Sequence, residues 1–237
     1  MLLLFDIDGT LLTGATGAHS KALDRAIAEV HGVDPAGRRT QIAPAGRTDG
    51  EIARLILLDL GVSARRIDEL ADDVRDACWR IFAEICPPDL SAHVVPGIPD
   101  LLAWLSDREG VTLGLLTGNY EPVGRLKLKR AGIGQWFASA PGAFGSDSED
   151  RAALPAIARR RAGRLEGGRA GIPVPREDTV VIGDTPRDIA CARADGLRCV
   201  AVTSGQYGAD ELSDADAVAT DAAELRDALE SIQSSAS

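Results

Sequence analysis

Two acids two residues apart, Asp6 and Asp8 in Asp6-Ile7-Asp8-Gly9-Thr10, close a short apolar run, Leu2 to Phe5. In extended chain such residues share a face, so both carboxylates can reach one place beyond the strand's carboxyl end, where open α/β sheets bind ligands. Two unpaired carboxylates repel each other, and a hard divalent cation such as Mg²⁺ relieves that while keeping some of its waters. The same residues also suit a turn in which Asp8-Gly9 reverses the chain and Asp6 bonds local amides. A second pair of acids follows Val180-Val181-Ile182-Gly183. Asp188 stands three residues after Thr185, the place of a capping-box acid, with Pro186 at the first helical position. Asp184 has no such role, because neither a core nor a helix start requires an acid there, and it reads as a metal ligand.

A third cluster is Leu115-Leu116-Thr117-Gly118-Asn119, which puts a hydroxyl and backbone amides between a strand and a helix. Amides at helix starts bind phosphate oxygens, so Gly118 and Asn119 are candidate substrate-binding residues, although Asn119 also suits a helix cap; Gly9, beside Asp8, is a further candidate. Lysine is scarce: Lys21, Lys127 and Lys129 stand against 23 arginines. Lys127 and Lys129 lie on the helix after Thr117, about 200° apart, so at most one of them faces the site. A compact ammonium there suits a phosphate, and a plain surface lysine is the alternative. Gly46-Arg47-Thr48-Asp49-Gly50-Glu51 combines a capping-box pair, Thr48 and Glu51, with Arg47, which is free to meet a substrate anion.

The elements that must position these residues alternate. Apolar runs at Leu2 to Phe5, Val111 to Leu116, Thr179 to Ile182 and Cys199 to Val202 each stop at a polar or glycine turn, as buried parallel strands do. Helical stretches lie between or after them at Pro99 to Asp107, Pro122 to Ala131, Asp150 to Ala162, Pro186 to Ala194 and near Ala222 to Ile232. This is the pattern of a doubly wound α/β sheet. Residues 14–92 break it with amphipathic segments near 18–31, 49–60 and 65–85, the last with Ile67, Leu70, Val74, Ala77, Ile81 and Ile85 at steps of three and four. The expectation is a core of residues 1–13 and 93–237 carrying a helical insertion of residues 14–92. Arg159 to Arg176, with six arginines among glycines and prolines, reads as a solvated basic loop, and Ser234 to Ser237 as a frayed tail.

Composition narrows the partners. The chain's 237 residues carry a formal charge of -10, which argues against general affinity for nucleic acid or anionic membrane. A metal ion can still invert the sign at one site and admit a small anion. No apolar run approaches the roughly 18 residues of a spanning helix, so the chain reads as cytoplasmic. Cys78, Cys86, Cys191 and Cys199 contain no Cys-x-x-Cys pair and read as reduced, partly buried thiols. Gly-x-Ser-x-Gly, Gly-x-x-x-x-Gly-Lys and Gly-x-Gly-x-x-Gly are absent, which disfavours serine hydrolase, P-loop and dinucleotide-binding readings.

The three clusters, in this order and at strand ends around a helical insertion, resemble the haloacid dehalogenase superfamily. The likeness is to its capped phosphatase branch, of the phosphoglycolate phosphatase and β-phosphoglucomutase type, and it runs from Leu2 to about Val218. It implies an α/β core with a helical cap, and an enzyme that hydrolyses a small phosphorylated metabolite with Mg²⁺. Asp6 would take the phosphoryl group as an aspartyl phosphate, and Asp8 would serve as general acid and then base. Asp6, the Asp8 carbonyl and Asp184 would hold the metal, with Asp188 touching it through water or supporting it. Thr117 and a lysine would stabilise the transferring oxygens. Many relatives supply that lysine as Lys-Pro in the stretch that is Gly145 to Arg151 here, which holds none; the role passes to Lys127, with Lys129 or Arg151 as substitutes. The alternatives are a sugar phosphomutase with the same carboxylates and, further off, a binding protein on the same fold. A dehalogenase fits less well, because halide departure needs no acid at Asp8.

Overall fold

The computed structural model describes residues 1–36, 38, 42–165 and 172–235. Its centre is a six-stranded, wholly parallel sheet in the order β3-β2-β1-β4-β5-β6. The strands are β1 Leu2–Phe5, β2 Thr112–Thr117, β3 Gly142–Phe144, β4 Thr179–Gly183, β5 Arg198–Val202 and β6 Ala217–Ala219. The four runs read from sequence are β1, β2, β4 and β5. The two edge strands were missed because each has only three residues, too few to show a period.

Strand β1 is buried along its whole length, and alternation sends its side chains to two different cores. Leu2 and Leu4 join Leu154, Ala158 and Ala162 of α7 (Leu154–Leu165) and Ile189 and Ala192 of α8 (Pro186–Ala194). On the other face Leu3 and Phe5 join α5 (Ile98–Ser106), α6 (Glu121–Arg130) and α9 (Ala222–Ser235) through Leu102, Val123 and Leu229. The order reverses at β1, so its carboxyl end and that of β4 form the crevice where such sheets place ligands.

Between β1 and β2 lies the helical insertion: α1 Gly17–His31, α2 Asp49–Asp59, α3 Ala64–Glu69 and α4 Ala71–Ile85. The segment expected near 65–85 is broken at Leu70, which ends α3 and starts α4. Its apolar face continues the core beyond the sheet, since Leu23, Ile27, Ile56 and Phe82 belong to the same cluster as Leu3 and Phe5. The two strands of chain that enter and leave it are pinned together: Thr13 N donates to His93 O (2.8 Å) and Val95 N to Leu11 O (3.1 Å). No helix among the described residues is long and apolar enough to cross a membrane, and all four cysteines are buried free thiols.

The basic stretch differs from expectation. Its first part belongs to α7, where Arg159 is buried and pairs with Asp195 (2.8 Å). Arg161, half-buried, pairs with Asp147 and Arg176, exposed, with Asp195, so it is Arg159 that departs from a solvated stretch. Residues 166–171 lie outside the described residues. The Ser-rich end also departs from a frayed tail, because α9 runs to Ser235; residues 236 and 237 lie outside the described residues.

His31, in the last turn of α1, is buried with neither ring nitrogen hydrogen-bonded. Burial, then the charge of Arg66, lowers its pKa. The unfolded chain therefore takes up a proton first, and stability falls as pH drops through about 6.5. His31→Leu should remove that acid-side loss and add about 1 kcal/mol by eliminating unpaired buried polar atoms. A melting temperature raised by about 2–4 °C at pH 6 is expected; a variant that melts lower than the parent at that pH would contradict this reading.

Candidate active site

Each cluster read from sequence ends up on one rim. Asp6 follows β1, Thr117 ends β2 and Asp184 follows β4. Between them and the insertion lies a cavity of about 630 Å³, whose wall includes Asp6, Asp8, Thr117, Arg151 and Asp184. The insertion supplies the opposite side with His19, Arg47, Asp49 and Ile52. Glycines bring these parts together: a Cβ at Gly9 or Gly205 would collide with the Asp184 carboxylate, and one at Gly118 with the Arg47 carbonyl.

Asp6, Asp184 and Asp188 each offer an oxygen, and the three lie within 4.8 Å of one another. All three are buried. Burial pushes Asp6 up to about 6, with Asp188 and Asp8 adding to the rise and Arg151 opposing it. Asp184 is driven further, to about 8, by burial and then by the charges of Asp6 and Asp188; Thr10 donates to it (3.1 Å) and opposes the shift. Asp188 sits in the capping box expected from sequence: Thr185 N and Oγ1 donate to its Oδ2 at 3.0 and 2.7 Å, and its own amide donates to Thr185 Oγ1 (3.2 Å). Three crowded carboxylates, two of them reluctant to ionise, form an all-oxygen set that fits a hard divalent cation.

Asp8 faces elsewhere. Its Oδ2 accepts from Lys127 Nζ (2.6 Å) and Asn119 Nδ2 (2.9 Å), while Oδ1 is buried without a partner. Burial acts to raise its pKa, but Lys127, His19 and these hydrogen bonds outweigh it and hold the carboxyl below its ordinary range. The side chain thus stands apart from the three-carboxylate cluster.

Lys127 is fully buried and spends its three donors on Asp8, Asn119 Oδ1 (2.7 Å) and His19 Nδ1 (3.0 Å). An ammonium has no lone pair, so His19 Nδ1 is the acceptor and Nε2 carries the proton given to Asp49 Oδ2 (3.0 Å). Asp49 also accepts from Tyr120 N (2.7 Å). Lys127 is not on the cavity wall. On the core side of that wall stands the cation Arg151, which bonds Asp188 and lies 3.2 Å from Asp6, with Nε buried and unpartnered. Lys129 lies on the same helix as Lys127, and Lys127, not Lys129, is the one brought to the carboxylates.

The remaining candidates divide. Thr117 is fully buried and its hydroxyl accepts from Asn119 N (3.3 Å) and Nδ2 (2.9 Å), which leaves its proton for another acceptor. Gly9, Gly118 and Asn119 line the cavity, but the Asn119 side chain is engaged between Asp8, Thr117 and Lys127. Arg47 lines it too, yet its guanidinium pairs with Glu51 and donates to Ile42 O (3.1 Å). Glu51 therefore does not complete the capping box, and only Thr48 caps α2, accepting from Glu51 N (3.1 Å). His19 and Asp49 were not singled out from sequence; each stands among polar neighbours at a helix start, Ser20 and Lys21 in one case and Arg47, Thr48 and Glu51 in the other, so no local signal set it apart.

The family model for haloacid dehalogenase-like hydrolase matches residues 3–193. Among curated proteins the chain is similar to phosphoglycolate phosphatase 1 of Pseudomonas aeruginosa, 28% identical over 86% of this chain and 70% of that one. It is also similar to phosphoglycolate phosphatase of Synechococcus elongatus, 29% identical over 86% of this chain and 84% of that one. Among solved structures it resembles β-phosphoglucomutase from Clostridium difficile, with TM-score 0.67 and 19% identity, covering 99% of this chain and 96% of that one. The last likeness is one of fold.

The carboxylate cluster makes an expectation about pH. Without metal, the raised Asp6 and Asp184 contribute stability that is complete below about 3.8 and lost as pH rises through about 6 and about 8. A bound cation needs both ionised, so its stabilisation grows over the same window. The rise in melting temperature on adding Mg²⁺ to chelator-treated protein should be larger at pH 8.5 than at pH 5.5; equal rises would contradict the assignment.

Proposed function

Since this chain belongs to the haloacid dehalogenase-like hydrolases, we propose that it is a Mg²⁺-dependent phosphatase of small phosphorylated metabolites working through an aspartyl phosphate on Asp6. The observation that carries this reading is the division of labour among four acids on one rim, three of them buried and Asp8 half-buried. Asp6, Asp184 and Asp188 converge, while Asp8 is drawn aside by Lys127 and Asn119. In this reading residues 14–92 are the cap and the rest of the chain is the core. The named relatives support phosphoglycolate as one substrate to test.

The metal, held by Asp6, the Asp8 carbonyl, Asp184 and, directly or through water, Asp188, would supply positive charge that brings the phosphate dianion to the carboxylate nucleophile. Asp6 attacks phosphorus and the alcohol departs. Asp8 is ionised in the resting site, so it must first take up a proton from solvent as substrate binds; its Oδ1, the oxygen without a protein partner, then gives that proton to the alcohol and afterwards takes one from the hydrolytic water. Lys127 and Asn119 hold the other oxygen of Asp8 and so fix its orientation. Thr117 donates its hydroxyl to a phosphoryl oxygen, with the Gly118 amide beside it. Arg151 stands where it can neutralise charge on the transferring group, the role expected of Lys127 from sequence. Helices α1 and α2 line the cavity opposite the strand ends, where with substrate in place they would limit the entry of bulk water.

The cavity of about 630 Å³ exceeds what a two-carbon alcohol fills, which keeps transfer back to a sugar phosphate as a second reading. Incubation with a hexose 1-phosphate separates the two: free phosphate marks the phosphatase, and an isomer without free phosphate marks the mutase. Asp6→Asn should lower release of phosphate from p-nitrophenyl phosphate by about 10³-fold or more with the fold retained, and chelation should do the same reversibly. Turnover that survives either treatment would refute the reading.

A further inference from the structure

Three residues of the insertion converge on one residue of the core loop that carries Arg151. Thr48 Oγ1 donates to the Glu149 carbonyl (2.8 Å), and Arg54 binds the Glu149 carboxylate with Nε and with Nη2 (3.1 Å). Gly50 leaves room for the Glu149 side chain: a Cβ there would stand 2.8 Å from Glu149 Cγ. Arg54 is itself braced by Asp68 of α3 (2.6 Å). A bidentate arginine–carboxylate pair within a charge network holds direction as well as distance, unlike an isolated surface pair.

Elsewhere the loop between β3 and α7 is tied to the core, with Gly145 N donating to Asn119 O (2.9 Å), Arg161 pairing with Asp147, and Cys191 Sγ donating to Arg151 O (3.1 Å); at Glu149 the tie is to the insertion. A cavity of about 520 Å³ runs along it, lined by Glu51, Glu149, Asp150, Arg151 and Arg187. Two residues beyond Glu149, Arg151 reaches Asp6 and Asp188 while its Nε stays unpartnered. Asp150 connects them, accepting from Ala152 N (2.9 Å) to cap the short turn that presents Arg151. With one residue, Asp150, between them, a shift at Glu149 is carried directly along the chain to Arg151.

We propose that Thr48, Gly50 and Arg54 latch onto Glu149 and thereby set the place of Arg151 at the reacting carboxylates, which makes Arg54 and Glu149 positioning residues for phosphoryl transfer. This rests on the reading that Asp6 accepts the phosphoryl group with Arg151 beside it. Misplacement of a charge-stabilising group by about 1 Å costs up to about 10²-fold in rate, so loss of the latch acts on kcat. A device that only held the cavity shut would act on KM.

The test is steady-state hydrolysis of p-nitrophenyl phosphate by the full chain with Mg²⁺, using Arg54→Ala, Glu149→Ala, Glu149→Gln and the double alanine variant. Thermal melts confirm folding, and Glu149→Gln serves if either alanine variant melts below the assay temperature. Each alanine change should lower kcat about tenfold with KM within about twofold, the double variant should be no worse than either single one, and Glu149→Gln, which keeps an acceptor for Arg54, should lose less. In an Arg151→Lys background the Arg54→Ala effect should vanish. Additive losses, a change confined to KM, or an undiminished Arg54→Ala effect in Arg151→Lys would overturn the latch. Failure of the underlying reading looks different: the unaltered chain would release no phosphate, or Arg151→Lys would match it in kcat.

Discussion

Burying several carboxylates at neighbouring strand ends is the constraint that the rest of the structure answers. An unpaired ion in such a place costs several kcal/mol, and the donors each acid has collected follow its role. Asp8 has an ammonium and an amide on one oxygen and is held ionised. Asp6 has a guanidinium 3.2 Å away and rises to about 6. Asp184 has a single hydroxyl and rises to about 8. The least compensated acid is the one with most to gain from a cation. The best compensated one is free of that cluster and suited to moving protons.

The helical insertion is joined to the sheet in two ways that differ in kind. Its apolar face is continuous with the core cluster behind β1, which gives it stability without directional demand. Its polar contacts are specific and fall on the loops after β2 and β3 and on the helices α6 and α8. Asp49 N donates to Gly118 O (2.8 Å), Thr48 and Arg54 hold Glu149, and Arg187 donates to Ala45 O (2.8 Å). The segment from Ala45 to Arg54 therefore touches the core loops after β2 and β3 and the start of the helix that follows Asp184. His19 adds a contact through Lys127 to Asp8.

What could be read from the sequence divides by distance along the chain. Asp6 and Asp8 share a strand end, Asp188 lies three residues from Thr185, and the alternation of apolar runs with helical stretches is local, so fold class and carboxylate positions were legible. The pairing of Arg47 with Glu51 is also local, but two competing patterns, a capping box and an i,i+4 ion pair, fitted the same residues, and the ion pair won. Contacts across the chain were not legible. Nothing about Arg151 in isolation places it 3.2 Å from Asp6, 145 positions earlier. Lysine scarcity drew attention to Lys127, and scarcity carries no direction: the side chain supports Asp8 instead of facing the cavity. Arg159 shows the converse, since an arginine-rich composition suggested solvent and a single buried partner, Asp195, decided otherwise.

The account stands on covalent transfer to Asp6. Chain incubated with ³²P-labelled acetyl phosphate and Mg²⁺, acid-quenched at millisecond intervals and digested, reports on it directly. The expected result is a transient, hydroxylamine-labile label on the peptide that contains Asp6, absent when Mg²⁺ is withheld. Turnover of that substrate with no protein-bound label at any quench time, or label on another peptide, would contradict it.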